Sequence, residues 1–520
     1  MITRQREPRP AAERGQALTA TARYRTLARR HWAFGVVLAA GLALRVAALV
    51  AYQPALVYLD SARYLGADQR GLDPLGYSYL LLRPVLRADG GLAGGGLAGG
   101  LAGVAAVQHA LGLAMAVCLY LLATRLGAAR WLAVLAAAPV LLDAYQVQAE
   151  QMIMPDVLFE ALIVAAVTVL LWRPDPGLAR LVAAAALLGV SATVRQVGEV
   201  LALPLLGYAL ASAPTGVVAG RGGREGSSPR SKPGLQRASR AAVALAVFAL
   251  PVVGYMALSA AVLGTGFRLS NMDDAYLYGR TAHAADCATL RLPGFERPLC
   301  PSPNTAAGLG VDGLATDPHS AVFTYRPPAG VTRGAATAQF DEAVLTQQPL
   351  RVAGDIAKDA IKVFALTRDT DRGDPPVSRW QFQVTYPVNS AVYSAADDTM
   401  LAAARPRVVA PLADALRAYQ LHGGFTSGPL LLAFLFCGTM GGFSLRRHRT
   451  AALACILVTG LAAAALLGAD LYEFSWRYQL PALVTLPLAG GLGVAGFIRR
   501  VRGASPRERS QSGGRNPQVG

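Results

Sequence analysis

The chain has 520 residues, 53% of them apolar and 16% charged, and a net charge of +17. A soluble domain carries about 25% charged residues, so the deficit excludes an ordinary soluble fold and points to lipid as the solvent. The positive charge gathers at residues 4–30, 221–240, 446–449 and 499–515, without aromatics interleaved as a nucleic-acid surface needs, so no nucleic-acid partner is expected.

In chain order, residues 1–31 form a basic tail with eight arginines and no apolar core. Residues 32–52 are apolar with no small-residue cleavage site, which reads as an uncleaved first helix. About 20 apolar residues cross a bilayer, and nine more segments qualify: 101–123, 131–144, 157–172, 181–194, 197–212, 241–263, 425–443, 451–467 and 478–498. Segments 131–144 and 181–194 are short, and are expected to tilt, to extend into polar neighbours, or to line a cavity. With the N-terminus inside, the basic turns 125–130, 173–180, 221–240 and 446–449 all fall on the cytoplasmic side, and so does the tail 499–520. Stretches 53–100, 145–156, 264–424 and 470–477, with the turn at Arg195 and Gln196, then face outward.

The expected architecture is an all-α polytopic membrane protein of about ten transmembrane helices with both termini cytoplasmic. Helices one to seven occupy 32–263, with a first external loop at 53–100 and a cytoplasmic linker at 214–240. A mixed extracytoplasmic loop domain follows at 264–424, then helices eight to ten at 425–498 and a basic tail at 499–520. The Gly-rich run 90–103 reads as a flexible lead into the second helix, and 221–239 as a disordered linker. In the loop domain 16 acidic residues balance 15 basic ones. There Val344, Leu345, Val352, Ile356, Ile361 and Phe364 recur at helical spacing, predicting an amphipathic helix over 340–366 on the membrane surface.

Cys118, Cys437 and Cys455 lie in apolar segments and read as buried hydrophobes. Cys287 and Cys300 share the long loop and are candidates for a disulfide in an oxidising compartment. His283 and His319 near them lack zinc-ligand spacing. No phosphate-binding glycine loop is present, so coupling to ATP within this chain is not expected.

Three places carry candidate chemistry. Asp60, near the outer end of the first helix, could take a proton from an acceptor hydroxyl, or simply cap a turn. Glu150 and Asp156 flank Pro155, where Asp156 could cap the next helix or serve a substrate or metal. Arg195 and Arg477 lie at the outer membrane edge against the positive-inside trend. They could pair with an acid, snorkel to headgroups, or meet a lipid phosphate.

Together these features resemble the GT-C membrane glycosyltransferases, the group that includes protein O-mannosyltransferases and the aminoarabinose transferase of lipid A. The residues that carry the resemblance are Asp60 with Tyr64 and a later Pro74-Leu75-Gly76-Tyr77, the Glu150 to Asp156 junction, and Arg477-Tyr478-Gln479-Leu480-Pro481. The resemblance implies sugar transfer from a polyprenyl-phosphate donor to an envelope acceptor (glycan, lipid or protein) at the outer face of a bacterial plasma membrane, by an inverting displacement. Asp60 would be the catalytic base, and Arg195 and Arg477 would bind the donor phosphate. Glu150, Asp156, Tyr64 and Tyr77 would shape the acceptor site or hold a divalent cation. Where relatives carry an acidic pair this chain has Asp60-Ser61, and Ser78 stands where a proline is common. A polytopic transporter or lipid flippase, and a non-catalytic envelope-assembly scaffold, remain alternative readings.

Overall fold

The bundle is organised around its last helix, Leu480–Gly503, which runs against Gly428–Ser444, Arg449–Tyr472 and Arg130–Leu142. The computed structural model describes residues 11–57, 60–61, 63–67, 72–88, 97–174, 176–212, 233–386, 405–444 and 449–503. The first ten residues of the basic tail, half of the Gly-rich run, most of the linker, residues 445–448 and those beyond 503 lie outside the described residues.

Lipid tails are as apolar as leucine, so helices in a bilayer associate by close packing through small residues. A Cβ added to Gly493 would fall 2.0 Å from the carbonyl oxygen of Cys437, and one on Gly441 would fall 2.7 Å from the Gly493 Cα. Gly493→Leu is therefore expected to wedge the last helix away from Gly428–Ser444. Overpacking of this kind costs about 1–3 kcal/mol. Thermal unfolding in detergent reads the loss, and an unchanged midpoint would contradict the contact.

Among the described residues, five helices are long and apolar enough to cross a membrane: Arg29–Ala51, Gly99–Arg125, Gly234–Leu263, Arg449–Tyr472 and Trp476–Val501. A sixth arises if Arg130–Leu142 and Ala144–Gln151, bent by 48°, count as one span. Leu178–Val194, Gln196–Ala211 and Gly428–Ser444 are apolar but shorter, and the helix Asp156–Leu171 has 16 residues. Of the ten expected spans, five therefore meet that length as single helices, and the other apolar segments form shorter or bent helices.

The bend at Asp143 makes most of the stretch 145–156, expected to face outward, a buried helix. Asp143 accepts from the Tyr145 and Thr426 backbone amides, at 3.0 and 2.7 Å, and so ends one helix while starting the next. The helix Ala144–Gln151 is buried along its whole length.

The segment 264–424 holds more helices than the one amphipathic helix expected there. Its ordered elements are mainly the helices Asp273–Ala284, Pro303–Thr316, Arg333–Gln347, Pro349–Lys362 and Ala410–Leu421. Among the described residues the only ladder is a two-residue antiparallel pair, Tyr52–Gln53 with Arg407–Val408. Tyr278, Leu299, Leu314, Phe340, Val344 and Val352 give this domain its own core. Cys287 and Cys300 are joined by a disulfide across Cα atoms 5.9 Å apart. The single helix expected over 340–366 is two, broken at Gln348, because the residue before a proline is driven out of helical geometry.

Four helices each have one end at the same place. Asp156–Leu171 and Leu480–Gly503 begin, and Leu178–Val194 and Arg449–Tyr472 end, beside one cavity. Their far ends carry basic turns. There Arg499 donates to the Gly127 carbonyl at 2.9 Å, Arg240 to that of Pro176 at 3.1 Å, and Arg449 to that of Ala211 at 2.5 Å.

Candidate active site

The loop after the first span is held in place by backbone. Leu56 donates to the Gln151 carbonyl at 2.9 Å and accepts from the Ile153 amide at 3.0 Å, while the Val57 amide donates to the Tyr386 hydroxyl at 2.9 Å. This ties the residues before Asp60 to the strip 151–153 that leads into Pro155 and Asp156. Asp156 is the first residue of its helix, where a carboxylate suits the positive dipole end. Arg195 is extended at the end of Leu178–Val194. Arg477 sits in the short turn Trp476–Gln479, just ahead of Pro481, which starts the last helix.

A cavity of about 370 Å³ opens where these pieces meet. Asp60, Tyr64, Arg195 and Arg477 all line it, with Arg63, Asp73, Tyr276, Asp312, Arg379, Trp380, Glu473 and Tyr478. Pro155 forms part of the wall, and Asp156 stands behind it. Asp156 pairs with Arg195 and reaches Arg477 at 3.6 Å. The Arg195 guanidinium lies 5.1 Å from the Tyr478 ring centroid, and that of Arg477 lies 4.8 Å from Trp380. Stacking leaves the edges of both guanidiniums available for planar, bidentate contacts.

Asp60 is held between two cations, Arg63 at 2.6 Å and Arg477 at 2.9 Å, and Arg63 reaches Asp73 at 2.8 Å. Burial pushes the Asp60 carboxyl up, but Arg63, Arg477 and Arg195 outweigh it and hold the group at about 2. A carboxylate so weakly basic suits a fixed anion that orients guanidiniums better than it suits a proton acceptor. Burial also keeps the Tyr64 hydroxyl protonated, well above the usual tyrosine range. Glu473 goes the other way. Burial first, and then Asp312, raise its carboxyl to about 8.

Glu150 and Tyr77 do not line the cavity. Glu150 is fully buried, with Arg45 at 2.6 Å and His109 at 2.9 Å. A Cβ on Gly112 would lie 2.0 Å from its carboxylate, so glycine there makes the room. Tyr77 is buried, donates to Gln108 at 2.8 Å and meets Tyr64 edge-on at 5.3 Å between ring centroids. Removing one member of a buried ion pair costs about 3–5 kcal/mol. Glu150→Ala is therefore expected to lower stability by that much while leaving the cavity residues in place. Thermal unfolding with and without the substitution reads it, and equal midpoints would contradict a structural role.

Among the described residues, no group of three His, Cys, Asp or Glu is placed to hold a metal ion. Asp60, Asp73 and Asp156 each face an arginine instead. Among the described residues, these side chains do not form a cation site.

Sequence reading missed Arg63, Asp73, Trp380 and Glu473. Arg63 is one turn beyond Asp60, and Glu473 is four residues before Arg477, so proximity was a usable signal. Trp380 arrives from the middle of the long loop, where no pattern marks it.

No protein-family model matches the chain, and no curated protein matches it. The chain is similar, at 12% identity and a TM-score of 0.43, to the archaeal oligosaccharyltransferase AglB from Archaeoglobus fulgidus, solved in complex with an inhibitory peptide and a dolichol-phosphate. The match covers 95% of this chain and 53% of that one, so the chain spans about half the length of that structure.

Proposed function

We propose that this chain is a GT-C-type membrane glycosyltransferase that moves a hexosyl or pentosyl group from a polyprenyl-phosphate carrier to an envelope acceptor. One observation carries the reading. Arg195 and Arg477, from the ends of two different helices, converge with Asp60 on a single cavity at the ends opposite the basic turns. By the positive-inside rule this arrangement supports a cavity on the outer face of the membrane, in our reading a bacterial plasma membrane, with both termini cytoplasmic.

A lipid-phosphate leaving group departs with an added negative charge and needs cations more than it needs a protonating acid. Arg195 and Arg477 supply two guanidiniums whose positions are set beforehand by Asp156 and Asp60. The acceptor hydroxyl attacks the anomeric carbon from the side away from the phosphate, and a single displacement inverts that carbon. Tyr64 and Trp380 form walls against which a sugar can lie.

The test uses the purified chain in lipid nanodiscs with a panel of radiolabelled polyprenyl-phosphate hexoses and pentoses. Envelope extract serves as acceptor. Transfer of label into the extract supports the reading, and its absence with every carrier contradicts it. One observation favours a second reading, a transporter or flippase: Arg45, His109, Glu150 and Glu160 form a polar cluster buried inside the helices. That reading predicts intact carrier appearing in the opposite leaflet with no cleavage.

A further inference from the structure

The carboxylates around the cavity differ in one respect. Asp60 is paired with Arg63 and Arg477, Asp73 with Arg63, and Asp312 faces Arg379 at 3.9 Å. Asp156, behind the wall, is paired with Arg195. Glu473 lines the same cavity and forms no ion pair among the described residues. Its Oε1 accepts a hydrogen bond from the Tyr478 hydroxyl at 2.6 Å, and its Oε2 is buried without a partner. The groups facing it from neighbouring elements are Tyr478 and Arg477 in the turn before the last helix, Asp312 of Pro303–Thr316, Tyr276 of Asp273–Ala284, and Asp60. It lies in the short connection between Arg449–Tyr472 and Trp476–Gln479, so both its neighbours in space and its backbone are fixed by helix ends.

Accepting the reading of the cavity as a glycosyl-transfer site, we infer that Glu473, and not Asp60, takes the proton from the acceptor hydroxyl. The acceptor oxygen forms a bond to the anomeric carbon, and the bond from that carbon to the phosphate oxygen breaks. Its electron pair leaves on the carrier phosphate, beside Arg195 and Arg477. The hydroxyl proton passes to the Glu473 carboxylate, and then to water through the cavity mouth. Asp60 stays ionised throughout and positions the guanidiniums.

The two assignments differ in their pH dependence. The ionised form of Glu473 is the active one, and its carboxyl stands at about 8 in this structure. Transfer then climbs by about tenfold per pH unit below that value and levels off above it. A base at the Asp60 value of about 2 would give a flat profile through the neutral range.

The experiment measures single-turnover transfer from polyprenyl-phosphate hexoses and pentoses to envelope extract between pH 6 and 9, by the full chain in nanodiscs. Wild type, Glu473→Gln and Glu473→Asp are compared. Infrared difference spectra between wild type and Glu473→Gln follow the carbonyl stretch of a protonated carboxyl over the same range. The glutamine keeps an oxygen for Tyr478, so the fold is expected to survive, and thermal unfolding checks it. The expected result is a rising wild-type profile with the carboxyl signal disappearing over the same interval. Glu473→Gln falls by on the order of 10²–10⁴ above pH 8 and loses the rising profile, so its deficit narrows at lower pH, and Glu473→Asp keeps part of the rate with a displaced profile. A flat wild-type profile overturns the assignment, whether or not Glu473→Gln is active, and leaves the transferase reading standing. Absence of transfer by wild type with every carrier overturns both.

Discussion

Arg477→Ala lowers sugar transfer by on the order of 10²–10³-fold while the protein remains folded. Among the described residues, Arg477 is the one side chain that touches both anchoring carboxylates, Asp60 at 2.9 Å and Asp156 at 3.6 Å. Its guanidinium is also seated on Trp380 from the loop domain. A group fixed by three separate segments loses little on meeting a phosphate, because its ordering has already been done by the fold. Arg477→Lys is expected to fail nearly as badly, since an ammonium cannot keep a planar two-point contact and the stacking at once. The fold survives because Arg63 still partners Asp60 and Arg195 still partners Asp156. Single-turnover transfer with thermal unfolding checks this, and wild-type rates in a folded Arg477→Ala would remove Arg477 from the donor site.

Asp60→Asn reduces transfer by about tenfold to hundredfold, the scale of a misplaced catalytic group, and leaves the pH profile rising but displaced to lower pH, because the Asp60 charge is one of those that raise the Glu473 carboxyl. The substitution keeps a hydrogen-bonding oxygen but removes the charge that neutralises Arg63 and Arg477. Those two cations then repel one another and settle differently around the donor. The Asp60 carboxyl at about 2 is ionised throughout the assay range, so its removal subtracts no titration from the profile. The sign follows directly: an acid held low loses its contribution only as pH falls through about 2, far below any working condition. A profile that flattens in Asp60→Asn would instead make Asp60 the titrating base.

The membrane class, the charge asymmetry and the cluster of Asp60, Tyr64, Arg195 and Arg477 were legible because each leaves a local mark. A run of apolar residues, an arginine at the wrong edge, or an acid beside a span can be seen in one dimension. The helix count was not legible, since a stretch such as 131–144 is apolar whether it crosses the bilayer or bends at Asp143 into a buried helix. Glu150 illustrates the same limit. Its neighbours in sequence read as an outer turn, yet its partners Arg45 and His109 come from two other spans, and Gly112 makes the space. Glu473 is marked in the sequence only by its place four residues before Arg477, because its significance lies in what does not pair with it. That absence is visible only once Asp60, Asp73 and Asp312 are seen with their arginines. Trp380 crosses a loop with no periodicity, and its place against Arg477 depends on the packing of the whole loop domain.

The most direct test is a cryo-electron microscopy map of the chain in nanodiscs loaded with a polyprenyl phosphate. The account predicts phosphate density inside the cavity, within hydrogen-bond reach of both Arg195 and Arg477, with Glu473 across the remaining space. Carrier bound elsewhere on the bundle, with the cavity left to water, would contradict it.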